Sequence, residues 1–417
     1  MRASTVFSIH LGVLAPVART ATHNLFVGNL LPPASIYSLE FEDETNDFKV
    51  LRNNTAHSSH AWIAFDHAKE NIYGSSLNTS TLANYRVLNE TTIELTRNIT
   101  ATGLCTNTTS AFVTAMSSEP YSVFSASWPG PNGCAMSLST SRTGALDRVL
   151  DSWAYINTSG IHGLALSPAP QRSPPHHNRT GHRQQLIYSA DLNGDLLWTH
   201  SIDPVTGHAT EVARFAVSPG THPRHLAVHP NGERLYAVHE AANSVAEYAL
   251  DEATGAVRAE VVSYPLIPPD ADPERYWSAE VMLGPPVSVT GSGNSIDNKK
   301  GARVTGGRYL WATSRPKDDD AVGYVSVFLV GADGGIVGRM LRVPTTTRGG
   351  IANAVIPAPW NHEYAAMTDY PEGYVLLWKL DGRRERADGL VEYRNAKAVA
   401  RADIGDGGCC ANAIWYS

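Results

Sequence analysis

The stretch Gly220-Thr-His-Pro-Arg-His-Leu-Ala-Val-His-Pro-Asn-Gly-Glu-Arg-Leu-Tyr-Ala-Val-His-Glu240 decides the fold. Two apolar runs of strand length flank Pro230-Asn231-Gly232, a turn that closes a β-hairpin. Arg224 stands at the head of the first run and Glu240 at the end of the second. A hairpin returns its ends to one edge of a sheet, so the spacing brings a guanidinium and a carboxylate to one rim. A similar unit lies upstream, where His162-Gly-Leu-Ala-Leu-Ser-Pro168 leads, after an insert, to Leu186-Ile-Tyr-Ser-Ala-Asp191.

Working outward, the 417-residue chain divides into seven such units, near 23–57, 58–102, 103–155, 156–217, 218–270, 271–347 and 348–407. Each is rich in short β runs and turn residues, and helix-period stretches with caps are almost absent. Outer strands are read at Asn193–His200, Asn243–Leu250, Gly323–Leu329 and Gly373–Leu380. Many short strands expose many edges, and radial arrangement in four-stranded sheets protects them. The expected fold is therefore all-β, a seven-bladed β-propeller spanning 22–417 as one domain. The last run, Cys410–Ser417, is expected to pair with the first unit and close the ring. Pro168–Arg183 and Gly284–Gly307 interrupt the pattern and read as surface insertions.

The formal charge of −7 is unclustered, which argues against nucleic acid or an anionic membrane as main partner. An anionic substrate must then be attracted locally. Residues 1–21 have the pattern of a secretory signal peptide: Arg2, an apolar stretch from Val6 to Val17, then small residues around Ala18–Ala21. Seven Asn-x-Ser/Thr sites begin at Asn53, Asn78, Asn89, Asn98, Asn107, Asn157 and Asn178. Together these point to a secreted glycoprotein; without a functional leader the chain would stay cytoplasmic. Cysteine usage fits the oxidising compartment: Cys105 and Cys134 are expected to bridge two strands of one blade. Cys409-Cys410 reads either as an eight-membered ring or as two thiols. The chain gives no reading of oligomeric state.

Four residues carry the candidate chemistry: His162, Arg224, Glu240 and Arg315, the last in Leu310-Trp-Ala-Thr-Ser-Arg-Pro316. They are expected at equivalent rim positions of successive units. Two arginines, a carboxylate and an imidazole suit a small anionic substrate that exchanges a proton, since each guanidinium can clamp a carboxylate with two parallel bonds. Glu240 beside Arg224 also has a bland reading as a structural ion pair. The histidines at 222, 225, 229 and 239 suggest a metal cluster on paper. Strand alternation, however, separates His225 from His229 by about 13 Å, and no metal site is expected. Asp318–Asp320 reads as a solvated loop.

The chain resembles the seven-bladed propeller lactonase family, on the side of its fungal 3-carboxy-cis,cis-muconate lactonizing enzymes. The resemblance runs from about residue 24 and rests on His162–Pro168, Tyr188-Ser-Ala-Asp-Leu-Asn-Gly-Asp-Leu-Leu-Trp-Thr-His200, Pro223–Gly232 and Ala312–Pro316. It implies a central site in which a His, two Arg and a Glu act, falling here on His162, Arg224, Glu240 and Arg315. It further implies cofactor-free intramolecular lactonization, as in carboxy-cis,cis-muconate cyclases of aromatic catabolism. Arg224, Arg315 and His162 would hold the substrate, and Glu240 or His162 would move the proton. Hydrolysis of a sugar lactone, as in 6-phosphogluconolactonases, and non-catalytic binding by a secreted propeller are the alternatives.

Overall fold

In the computed structural model the stretch at 220–240 forms the expected hairpin. Pro223–Val228 pairs antiparallel with Arg234–His239, with Leu226 opposite Ala237 and Ala227 opposite Tyr236. The structure describes residues 21–417 except 131–132, 156–157, 159, 170–183, 288–306, 319, 348–352 and 387–390. The signal-peptide reading, Asn157, Asn178 and most of both inserts thus lie outside the described residues.

Ser244–Leu250 and Val257–Pro265 complete the blade begun by that hairpin. The same four-stranded meander occurs seven times, with inner strands at Trp62–Phe65, Ser110–Ala115, Ile161–Leu166, Pro223–Val228, Tyr276–Pro286 and Val355–Pro357. We number the blades one to seven along the chain. Among the described residues the only helical turns are two short 3₁₀ segments. The runs read as outer strands are third strands; the fourth, such as Ala209–Ala216 and Val257–Pro265, carry mostly exposed residues. With little apolar face to bury, they leave only a weak period in the sequence. Blade six's inner strand runs to Pro286, so the second insert starts later than its composition suggests.

Seven hydrophobic clusters fill the seven gaps between adjacent blades; Phe112, Trp153, Leu164 and Trp198, for example, join blades three and four. Buried tyrosines add a recurring latch. Tyr73, Tyr188 and Tyr236 donate to the carbonyls of Gly144, Gly255 and Gly334 at 2.5, 2.8 and 2.5 Å, each in the outer hairpin of the next blade. Those glycines hold φ of 77°, 69° and 82°, which a side chain would oppose.

The C-terminal strand Cys409–Trp415 is the innermost strand of blade one and pairs with Thr22–Asn29. Its side chains tie both neighbours. Asn412 accepts from Ile63 N at 2.8 Å and donates to Ile63 O at 3.0 Å, while Trp415 Nε1 donates to Ile356 O at 3.1 Å. Deleting residues 408–417 removes all of this at once. The melting temperature should fall by about 10 °C or more, because each lost kcal/mol lowers it by roughly 2–4 °C in a sizeable domain. Calorimetry of the truncated chain checks this, and an unchanged midpoint would show that the ring closes elsewhere.

Cys105 and Cys134 form a disulfide, but it joins a 3₁₀ turn (Gly103–Cys105) to the third strand of blade three rather than strand to strand. Cys409 and Cys410 form the vicinal ring. The sequon residues Asn53, Asn78, Asn89, Asn98 and Asn107 are all exposed.

Candidate active site

At the heads of the inner strands the ladder slips by one residue in blades three to six. The extra residue is Ala111, His162, Arg224 and Ala279 in turn. Such bulges re-aim a side chain at a strand's rim. His162 and Arg224 are therefore equivalent, as expected. Glu240 and Arg315 are not: they stand where the second strands of blades five and six end. Both kinds of position lie at one rim because a hairpin's two ends do.

The structure brings Arg224, Glu240 and Arg315 together. Glu240 Oε2 lies 2.9 Å from Arg224 Nε and 3.5 Å from Arg315 Nη2. The shorter approach is an ion pair without hydrogen-bond alignment, since Arg224 Nε is buried and has no hydrogen-bond partner among the described residues. Arg224 also donates from Nη1 to Ala279 O in blade six. Arg315 is almost fully buried, and its Nε and Nη1 have no partner among the described residues. Burial first, and the Arg224 charge second, push its guanidinium down to about 9. Two cations against one carboxylate leave the cluster electropositive inside a molecule of net −7. Trp277 extends this patch, with Arg315 5.6 Å and the exposed Lys317 5.0 Å from its ring centre.

His162 joins through a different contact. Its Nδ1 lies 3.0 Å from His225 Nε2, and His225 Nδ1 lies 2.7 Å from Glu280 Oε2. Gly163 permits this: a Cβ there would sit 2.5 Å from Arg224 O and 3.0 Å from His225 Cα. Burial, reinforced by Arg224, His225 and Arg315, holds His162 well below the ordinary imidazole range; burial and both arginines do the same to His225. Glu280 is pushed up to about 8 by burial, which outweighs the Arg224 charge and the Val281 N–H it accepts at 3.0 Å.

Gly163, His225 and Glu280 each follow the extra residue of their strand, as does Phe112 in blade three. His225 packs against Trp62 at 4.8 Å and Phe112 at 5.5 Å between ring centres, and His162 lies 4.9 Å from Trp128. Aromatic rings thus pack against both imidazoles. Sequence reasoning missed His225 as a site residue, and missed Glu280 altogether. The available signal was a glutamate inside the apolar run Ala279–Leu283, because a strand glutamate is rarely buried unless paired. Of the other histidines, His239 meets Tyr248 at 3.0 Å and His229 packs beside Gly334. Among the described residues no group of three or more His, Cys, Asp or Glu is placed to hold a metal ion. Asp318 and Asp320 pair with Arg275.

The sequence and the fold match known proteins. Residues 24–294 match the family model described as "Lactonase, 7-bladed beta-propeller". The chain is 30% identical to a carboxy-cis,cis-muconate cyclase of Neurospora crassa, over 94% of its own length and 99% of that protein. It is 26% identical to muconate cycloisomerase 1 of Cutaneotrichosporon cutaneum, over 46% of this chain and 47% of that one. Among solved structures, the periplasmic gluconolactonase of Pseudomonas aeruginosa superposes with a TM-score of 0.69 at 16% identity, covering 95% of this chain and 99% of that one. A putative 6-phosphogluconolactonase of Bacteroides fragilis gives 0.64 at 16% identity, covering 97% and 100%. At such identities these two share the fold. The family match and the full-length relative establish that this chain belongs to the seven-bladed β-propeller lactonase family.

Proposed function

We propose that this protein is a cofactor-independent lactonizing enzyme acting on a small polycarboxylate of the carboxy-cis,cis-muconate class. The observation that carries the reading is Arg315: a buried guanidinium with two donors unpartnered among the described residues, beside Arg224 and within electrostatic reach of His162. Buried donors without acceptors are costly, and a substrate carboxylate supplies acceptors for them.

In the reaction one substrate carboxylate oxygen bonds to a carbon of a conjugated C=C. The displaced electron pair moves into an enolate-like system next to another carboxylate, and the α-carbon then takes up a proton. Product and substrate are isomers. Arg224 and Arg315 hold the carboxylates and stabilise the developing charge. Glu240 Oε2 keeps both guanidiniums oriented from one side. His162 delivers the proton. Lactone hydrolysis, the second reading, uses the same donors for the tetrahedral oxyanion and His162 as base toward water.

Purified protein incubated with carboxy-cis,cis-muconate should consume the diene absorbance without releasing a second product. Acid release from aldonolactones, with the diene untouched, would replace this reading by the hydrolytic one. We also infer a secreted glycoprotein, supported by the exposed sequons and two disulfides.

A further inference from the structure

The chain His162–His225–Glu280 crosses three blades and ends on a carboxyl that the proposed reaction does not itself need. Its hydrogen bonds have one consistent direction in each protonation state, which makes it a wire. When Glu280 is ionised, His225 donates from Nδ1 to Glu280 Oε2, and His225 Nε2 must accept. His162 then carries its proton on Nδ1 and presents a lone pair at Nε2. When Glu280 is a carboxylic acid the pattern reverses. Glu280 donates to His225 Nδ1, His225 Nε2–H donates to His162 Nδ1, and His162 presents an N–H at Nε2. Glu280 Oε1 accepts the Val281 N–H, leaving Oε2 to face His225 in both states.

We propose that Glu280 is the proton reservoir of the site, a positioning residue that works through His225 and sets whether His162 Nε2 gives or takes a proton. This deepens the lactonizing reading and rests on it for the direction of transfer. Delivery balances as follows. A C–H bond forms on the substrate as the His162 Nε2–H bond breaks. His162 Nδ1 takes the His225 Nε2 proton, and His225 Nδ1 takes the Glu280 proton. The wire ends as a carboxylate with two neutral imidazoles, and one solvent proton resets it.

The surrounding charges favour this arrangement over a lone histidine acid. Arg224 and Arg315 both face the imidazoles, and Glu240 is already engaged by both arginines. An imidazolium there would be desolvated beside two guanidiniums. The wire never forms one: the negative charge of the enolate passes to Glu280 instead. Because burial holds the Glu280 carboxyl up to about 8, the proton-giving form prevails at neutral pH. Lactonization needs that form, whereas hydrolysis needs the other.

The test has a substrate-free arm and a kinetic arm. Protein labelled with ¹⁵N-histidine, followed by long-range ¹H–¹⁵N spectra, should show His162 switching from the Nε2–H to the Nδ1–H tautomer as pH rises through about 8. Glu280→Gln should abolish the switch. In turnover of carboxy-cis,cis-muconate, wild-type kcat should fall through the same pH. Glu280→Gln should lose that limb and on the order of 10²-fold in kcat, the scale of one proton transfer, with KM within about twofold. Glu280→Asp, which keeps a carboxyl, should restore the limb. A His162 tautomer constant from pH 6.5 to 9.5 would overturn the wire, as would a Glu280→Gln enzyme that keeps the wild-type limb. Should the glutamine variant not fold, the wild-type spectra and pH–rate profile decide alone. A switch without turnover of any polycarboxylate would remove the reaction and leave the wire; turnover without a switch would do the reverse.

Discussion

Arg315→Met should lower kcat/KM by about 10²-fold or more while leaving the melting temperature unchanged or raising it. A charged hydrogen bond is worth about 1.5–3 kcal/mol, and a guanidinium can give a carboxylate two of them. Stability moves the other way for a physical reason. Among the described residues Arg315 is buried with Nε and Nη1 unpartnered, its one ion-pair contact is 3.5 Å long, and Arg224 repels it. A methionine of similar length removes an expensive buried charge and fills the space, which is often neutral or stabilising. A structural ion pair would give the opposite signs, with lost stability and retained activity. Measuring both quantities on one variant therefore separates the functional reading of the Arg–Glu cluster from the bland one.

His162→Asn should reduce kcat by roughly 10²–10⁴-fold, the range associated with a positioned acid or base, with a smaller change in KM. Asparagine can still place a polar atom near His225 Nε2, so His225 should keep its place against Trp62 and Phe112. The proton at the outlet is lost, because an amide does not titrate in the working range. The pH dependence supplies an internal check on stability. Burial holds the folded-state carboxyl of Glu280 above its ordinary value, so the folded protein binds that proton more tightly than the unfolded chain does. Its contribution is therefore largest at low pH and is lost as pH rises toward and through about 8. His162→Asn leaves Glu280 and His225 in place and should keep that stability trend while losing activity.

Much of the fold was legible because it is local. The Pro230-Asn231-Gly232 turn, the paired apolar runs and the polar ends of the 220–240 hairpin fix one blade, and repetition fixes the ring. Fourth strands were harder to see: Ala209–Ala216 exposes most of its residues, so no buried face imposes a period on its sequence. The candidate site divides the same way. Arg224 and Glu240 belong to one hairpin, and their meeting follows from chain geometry alone. The contact of His162 with His225, and of His225 with Glu280, spans 63 and 55 residues of sequence. It depends on the ring's curvature, on the slipped register at each strand head and on the missing side chain at Gly163. The extra residue at Arg224 sits just before His225, while from His225 to Val228 the ladder alternates regularly.

The central claim is that the cationic mouth of this ring adds a substrate carboxylate across a double bond and protonates the neighbouring carbon. Running the reaction in D₂O with carboxy-cis,cis-muconate, and analysing the product by mass spectrometry and proton NMR, tests it most directly. The account predicts a lactone isomeric with the substrate, carrying one solvent deuterium on the carbon next to a carboxylate, and formed at least about 10²-fold more slowly by Arg315→Met. Unchanged diene, or a lactone formed at the same rate without Arg315, would contradict it.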